Sequence, residues 1–205
     1  MTSLSIGITC YPSVGGSGIV ASQLGSELAH LGHKVHFISY EPPFRLEHEH
    51  PNVFFHQVEL NEYKLFKYPD YTLPLAVKMV EVSDKYNLDI MHVHYAVPHA
   101  TAALLARQIA KEEKLHPARV ITTLHGTDIT LLARDPNLAP IIKYSTESSC
   151  GVTAVSHSLR EENHSSAGDH QGDRGYPQLL SSRGRPSVRE RKSARNSVSR
   201  KTISF

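Results

Sequence analysis

The residues of this chain whose types and spacing could do chemistry fall in four short stretches. These are Gly15-Gly16-Ser17-Gly18, the histidines and tyrosine His92, His94, Tyr95 and His99, the run Thr122-Thr123-Leu124-His125-Gly126-Thr127-Asp128, and Ser156-His157. The glycine-rich stretch follows an apolar run and opens a helix-periodic one, a setting in which backbone N–H groups and a helix dipole can hold a phosphate or carboxylate. It matches neither G-x-G-x-x-G nor a Walker loop, and a plain tight turn would use the same residues. His125 stands at the end of a predicted strand, beside a glycine that lets a ligand approach and a Thr127/Asp128 pair able to cap the next segment. A neutral imidazole there can hydrogen-bond a sugar hydroxyl or a phosphate oxygen; the alternative is a capping loop with His125 as polar surface.

Other chemistries find less support. His92 and His94 share one side of a strand by the period of two, but no carboxylate sits at ligand spacing and no H-E-x-x-H occurs, so packed or hydrogen-bonded histidines are expected rather than a metal site. Tyr95, just past the strand end, is the expected ligand contact of that group. No G-x-S-x-G elbow is present, and neither Cys10 nor Cys150 stands in a context that marks a nucleophile. Two cysteines are too few for a disulfide framework and fit a reducing cytosol. The N-terminus lacks a basic region before its apolar run, and no apolar stretch reaches the ~20 residues of a membrane helix, so a cytoplasmic protein is expected.

The elements that must position these residues alternate. Leu4–Thr9, Lys34–Ser39, Val53–Val58, Asp89–His94, Arg119–Leu124 and Val152–Val155 read as strands. Between them, Val20, Leu24, Leu28 and Leu31 share one helical face, with Ser17 as N-cap and Gly32 past the C-terminus. Further helices are predicted over Leu73–Tyr86, His99–Lys114 and Leu138–Ser148. This order predicts an α/β domain, a doubly wound parallel sheet with helices on both faces. Ligands in such sheets sit at the carboxyl ends of strands, where all four chemical stretches fall.

Composition divides the chain near Glu162. Residues 1–162 carry 13 Lys+Arg and 17 Asp+Glu, a net of −4, whereas residues 163–205 carry 9 and 3, a net of +6. The second part holds 9 Ser and 7 Arg among 43 residues and few large apolar side chains, so it is expected to be a disordered tail. Its Arg183, Arg185, Arg189, Arg191 and Arg195 have no interleaved aromatics, and nucleic-acid binding is not inferred from them. About 160 residues remain for one well-buried core.

The series PSVGGSG (12–18), HVHYAVPHA (92–100), TTLHGTDIT (122–130) and VTAVSHSL (152–159) resembles the N-terminal half of the retaining glycosyltransferases of family 4, over about residues 4–162. The resemblance implies a Rossmann-like, acceptor-side domain of the GT-B fold. It also implies transfer of N-acetylglucosamine from UDP-N-acetylglucosamine to the hydroxyl of L-malate, in bacillithiol biosynthesis, with no metal or other cofactor. Gly16 and Ser17 would then face the donor diphosphate and the malate, and Tyr95, Thr123 and His125, the last as catalytic group, would line the sugar and acceptor pocket. Lys143 would pair with a malate carboxylate. Another family 4 acceptor, or a non-catalytic small-anion-binding module, fits the same motifs. Self-association stays open.

Beyond Glu162 the family pattern would continue into a second Rossmann-like domain with a basic pair for the diphosphate and a Glu-x7-Glu element. The sequence instead runs Asn163-His164-Ser165-Ser166 and ends rich in Ser and Arg, which reads as a shifted coding frame or a truncated paralogue. Such a half is expected to be inactive alone.

Overall fold

The computed structural model describes residues 2–60, 70–156, 159 and 179–181. Seven parallel strands form one sheet: β1 Ser5–Thr9, β2 Lys34–Ser39, β3 Val53–Gln57, β4 Ile90–His94, β5 Arg119–Leu124, β6 Gly151–Ala154 and β7 Leu179–Ser181, in the order β3-β2-β1-β4-β5-β6-β7. The helices are α1 Gly16–His30, α2 Thr72–Tyr86, α3 Thr101–Glu112, α4 Gly126–Thr130 and α5 Ala139–Ser148. The predicted α/β class and sheet are found, with β2 and β5 at their predicted bounds.

The order reverses between β1 and β4, and that is where a doubly wound sheet opens a crevice. Register across it pairs Ile8 with His92, His92 with Ile121, His94 with Thr123, and Thr123 with Thr153. Paired residues share a face, so a polar stripe crosses three strands at their carboxyl ends.

Apolar layers hold the sheet on both faces. Ile6, Ile8, Val35 and Phe37 pack with Ala21, Leu28 and Ala29 of α1. On the other face Ile38, Met91, Val93 and Val120 pack with Leu75, Met79 and Val82 of α2 and with Ala102, Ala103 and Ala106 of α3. Fully buried side chains such as Phe37 and Ile38 contribute roughly 1.5–3 kcal/mol each. Small residues let α1 approach closely: a Cβ on Gly25 would lie 2.3 Å from Cζ of Phe37. A third cluster joins Leu124, Ile142 and Val152 beside α5.

Three expectations change. The cap of α1 is Gly15, and Ser17 lies inside the first turn, buried. The backbone path explains this: a Cβ on Gly18 would sit 2.5 Å from the carbonyl oxygen of Ser13 and 2.8 Å from that of Tyr11, so the loop folds over the helix and starts it earlier. The helix expected from His99 begins at Thr101, after an irregular turn Ala96–Ala100 that contains a cis Val97–Pro98 bond. Within the expected disordered tail, Leu179–Ser181 form β7 beside β6, while the rest of 163–205 lies outside the described residues. Among the described residues no helix is long and apolar enough to cross a membrane.

Candidate active site

β4 ends at His94, and Tyr95 then takes φ 81°, in the left-handed region, which turns the chain out of the sheet. Its backbone N–H donates to the carbonyl of Thr123 at 3.0 Å, fixing it against the end of β5. Tyr95 thereby stacks on His125, ring centroids 4.9 Å apart and planes 23° apart. Tyr11, just past β1, meets Tyr95 edge-on at 5.3 Å and tilts over His99 at 4.6 Å. Strand ends that are distant in sequence meet here because β1 and β4 are sheet neighbours.

Behind the aromatic rings is a hydrogen-bonded network. Nδ1 of His94 lies 3.1 Å from Nε2 of His125, and Nε2 of His92 lies 2.7 Å from Oγ1 of Thr123, which is 2.6 Å from Oγ1 of Thr153. Nδ1 of His99 donates to the carbonyl of His94. Nε2 of His94 and of His99 are buried with no partner among the described residues. Burial pushes the imidazoles of His92, His99 and His125 down to about 4 and that of His94 well below its usual value. All four are therefore neutral near pH 7, able to donate or accept without carrying charge. His92 and His94 are hydrogen-bonded and stacked at 5.0 Å, as expected of neighbours two apart on a strand.

Asp128 anchors the other side. Its Oδ2 accepts the N–H of His125 at 2.9 Å and its Oδ1 accepts the N–H of Ala96 at 3.0 Å. Desolvation pushes the carboxyl up to about 6, against the two donors that lower it. The hydroxyl of Thr127 donates to that of Tyr95 at 3.1 Å.

The start of α1 has no side-chain cap and no acidic residue in its first turn, so its N–H groups and dipole suit an anion. Space beside Gly16 is open: a Cβ placed there would meet no atom within 4 Å. Of the predicted site residues, Tyr95, Thr123 and His125 come together. Gly16 and Ser17 open α1 above the carboxyl end of β1. Lys143 lies exposed on α5, its Nζ 3.9 Å from Oε1 of Glu147. Ser156 is exposed, and His157 lies outside the described residues. Sequence reading missed Tyr11, whose only signal was its place just after β1, and it read Asp128 as a cap alone.

The model of Glycosyltransferase Family 4 matches residues 14–171. The chain belongs to glycosyltransferase family 4. N-acetyl-alpha-D-glucosaminyl L-malate synthase of Bacillus anthracis is 55% identical over 161 residues, 78% of this family 4 chain and 41% of that protein. An uncharacterized glycosyltransferase of Methanocaldococcus jannaschii is 26% identical over 154 residues, 74% of this chain and 40% of that one. The chain thus spans about two fifths of the length of these curated relatives. Among solved structures, a glycosyltransferase from Rickettsia africae superposes with TM-score 0.60 at 21% identity, covering 88% of this chain and 43% of that one. Anabaena HepE in complex with UDP-glucose gives TM-score 0.55 at 11% identity, covering 87% and 43%. The two structures share the fold with this family 4 chain.

Proposed function

We propose that this chain is the acceptor-side half of a retaining, cytoplasmic glycosyltransferase that moves N-acetylglucosamine from UDP-N-acetylglucosamine to the hydroxyl of L-malate, in bacillithiol biosynthesis. The observation that carries the reading is the 55% identity to the Bacillus anthracis synthase over 161 residues. Neutral His125, stacked on Tyr95 and backed by Thr123, would orient hydroxyls of sugar and acceptor without binding a proton at neutral pH. Gly16 and Ser17 at the start of α1 would hold a carboxylate of malate or the donor diphosphate. Lys143 would exchange Glu147 for the second carboxylate.

Transfer needs donor and acceptor held together and charge stabilised on the departing UDP. The 205 residues alone are therefore expected to bind malate but to release no UDP in a malate-dependent way. Calorimetry with malate tests the first statement and a UDP-release assay the second. Malate-dependent UDP release by this chain would overturn the division of labour; absence of malate binding would overturn the acceptor assignment. Reading the gene downstream of Glu162 in all frames tests the proposed frame change there.

One observation favours a second reading, a family 4 transferase with a neutral acceptor. The hydrogen-bonded group of Tyr95, Thr123, His125, Thr127 and Asp128 contains one acid and no base that is charged near pH 7. Calorimetry with a neutral polyol in place of malate separates the two.

A further inference from the structure

We infer that Asp128 is the positioning residue of this site: its carboxylate ties the turn carrying Tyr95 to the segment carrying His125, and so sets how the two rings stack. The inference rests on the acceptor reading above for its ligand, not for its geometry.

Asp128 is fully buried and uses one oxygen for each segment, Oδ1 for the N–H of Ala96 and Oδ2 for that of His125. The two donors follow different strands and are 29 residues apart in sequence. At N3 of the five-residue α4, Asp128 completes a capping box with the N-cap His125, which occupies one oxygen, and the other reaches Ala96; only a carboxylate offers two acceptor oxygens to two separate N–H groups. Burying one without a paired cation is unfavourable, and desolvation is the largest influence on its titration. Such a group is poor at stabilising a fold and well suited to holding two backbones in register.

The backbone it steadies needs holding. Tyr95 sits in the left-handed region at φ 81°, which costs a residue with a side chain on the order of 1–2 kcal/mol. Hydrogen bonds on both sides keep it there: its own N–H to Thr123, the N–H of Ala96 to Asp128, and the N–H of Ala100 to its carbonyl at 3.2 Å. Removing the Asp128 bond frees the turn on its ligand side, and the stacking of Tyr95 on His125 goes with it.

Asp128→Asn keeps the volume but turns an N–H₂ toward one of the two N–H donors. It removes the buried charge as it removes a bond, so the two effects on stability oppose. In the full 205-residue chain the expected result is a melting temperature within about 3 °C of the parent at pH 7.5. Malate affinity should fall tenfold or more, and the imidazole ¹H–¹⁵N signals of His125, but not those of His36 and His56, should move or broaden. A fall in melting temperature with malate affinity and His125 signals unchanged would make Asp128 a structural residue only and overturn the inference. If the parent chain does not bind malate, the acceptor reading fails and the His125 signals still decide the positioning role. If the variant does not fold, amide exchange on the parent decides: the Ala96 and His125 amides should be protected together, and exchange of either at the rate of an exposed amide overturns the inference.

Discussion

Two groups of buried and half-buried histidines occupy this domain, and they differ in what surrounds them. At the carboxyl edge His92, His94, His99 and His125 are joined to Thr123 and Thr153 and bordered by Tyr11, Tyr95 and Asp128. At the sheet margin His36 of β2 and His56 of β3 form a pair of their own, Nδ1 to Nε2 at 2.9 Å, stacked on each other and covered by Tyr86. Lys34, Lys78, Lys85 and Glu81 provide the nearby charges of that pair. Both groups are neutral through burial. The difference is that the first is built around His94, Tyr95 and His125 at the ends of β4 and β5, where an irregular turn and α4 begin, and the second joins two neighbouring strands at the sheet margin beneath the end of α2. A histidine cluster is therefore no mark of a site; its place relative to the strand ends is.

The largest expected effect separates the groups by stability. His36→Ala leaves a cavity under Tyr86 and should cost about 2–4 kcal/mol in urea unfolding, with malate affinity unchanged in the folded fraction. Weaker malate binding at constant folded fraction would break the comparison. Acid comes next. Folded imidazoles near 4, against about 6.5 in the unfolded chain, contribute stability that is present above 6.5 and lost as pH falls from 6.5 through 4. Fully buried His36 alone corresponds to roughly 3 kcal/mol across that window. Asp128 opposes the trend at the cleft: its raised carboxyl favours the protonated fold, so its contribution grows as pH falls from about 6 toward 4. Unfolding free energies at pH 7.5, 6 and 5 should decline, and a flat profile would mean that the histidines are solvated.

Smaller effects sharpen the cleft itself. His125→Ala and Tyr95→Ala should each weaken malate binding of the folded protein about tenfold, some 1.4 kcal/mol. Unaltered affinity in both would place the acceptor elsewhere. Smallest is Lys143→Ala, whose exposed pair with Glu147 is worth about 0.3–0.5 kcal/mol to the fold. A several-fold loss of malate affinity from that variant would bring Lys143 to the ligand, and no loss would leave it a surface cation.

Much of this was legible in residue order. Apolar runs bounded by Gly, Pro and Asn set the limits of β2 and β5, and Asn87, in the left-handed conformation, ends α2 where the pattern stopped. The cap of α1 was not legible, because it depends on where the carbonyls of Tyr11 and Ser13 pass over Gly18. Tyr11 could not be placed in the site, since its neighbours Tyr95 and His99 lie more than eighty residues away. Nor could β7, which joins the sheet from a segment with little apolar content.

The sequence by itself determined the alternation of strands and helices, the location of the chemical residues at strand ends, and through its ordered motifs the family. These are local properties, set by periodicity and by the conformations that glycine, proline and asparagine favour. Only the tertiary structure decided which of those residues meet. Pairing β1 with β4, strands more than eighty residues apart, brings Tyr11 to Tyr95, and one buried carboxylate spans from His125 to Ala96. Contacts of that range follow from strand order and register, which no local pattern encodes.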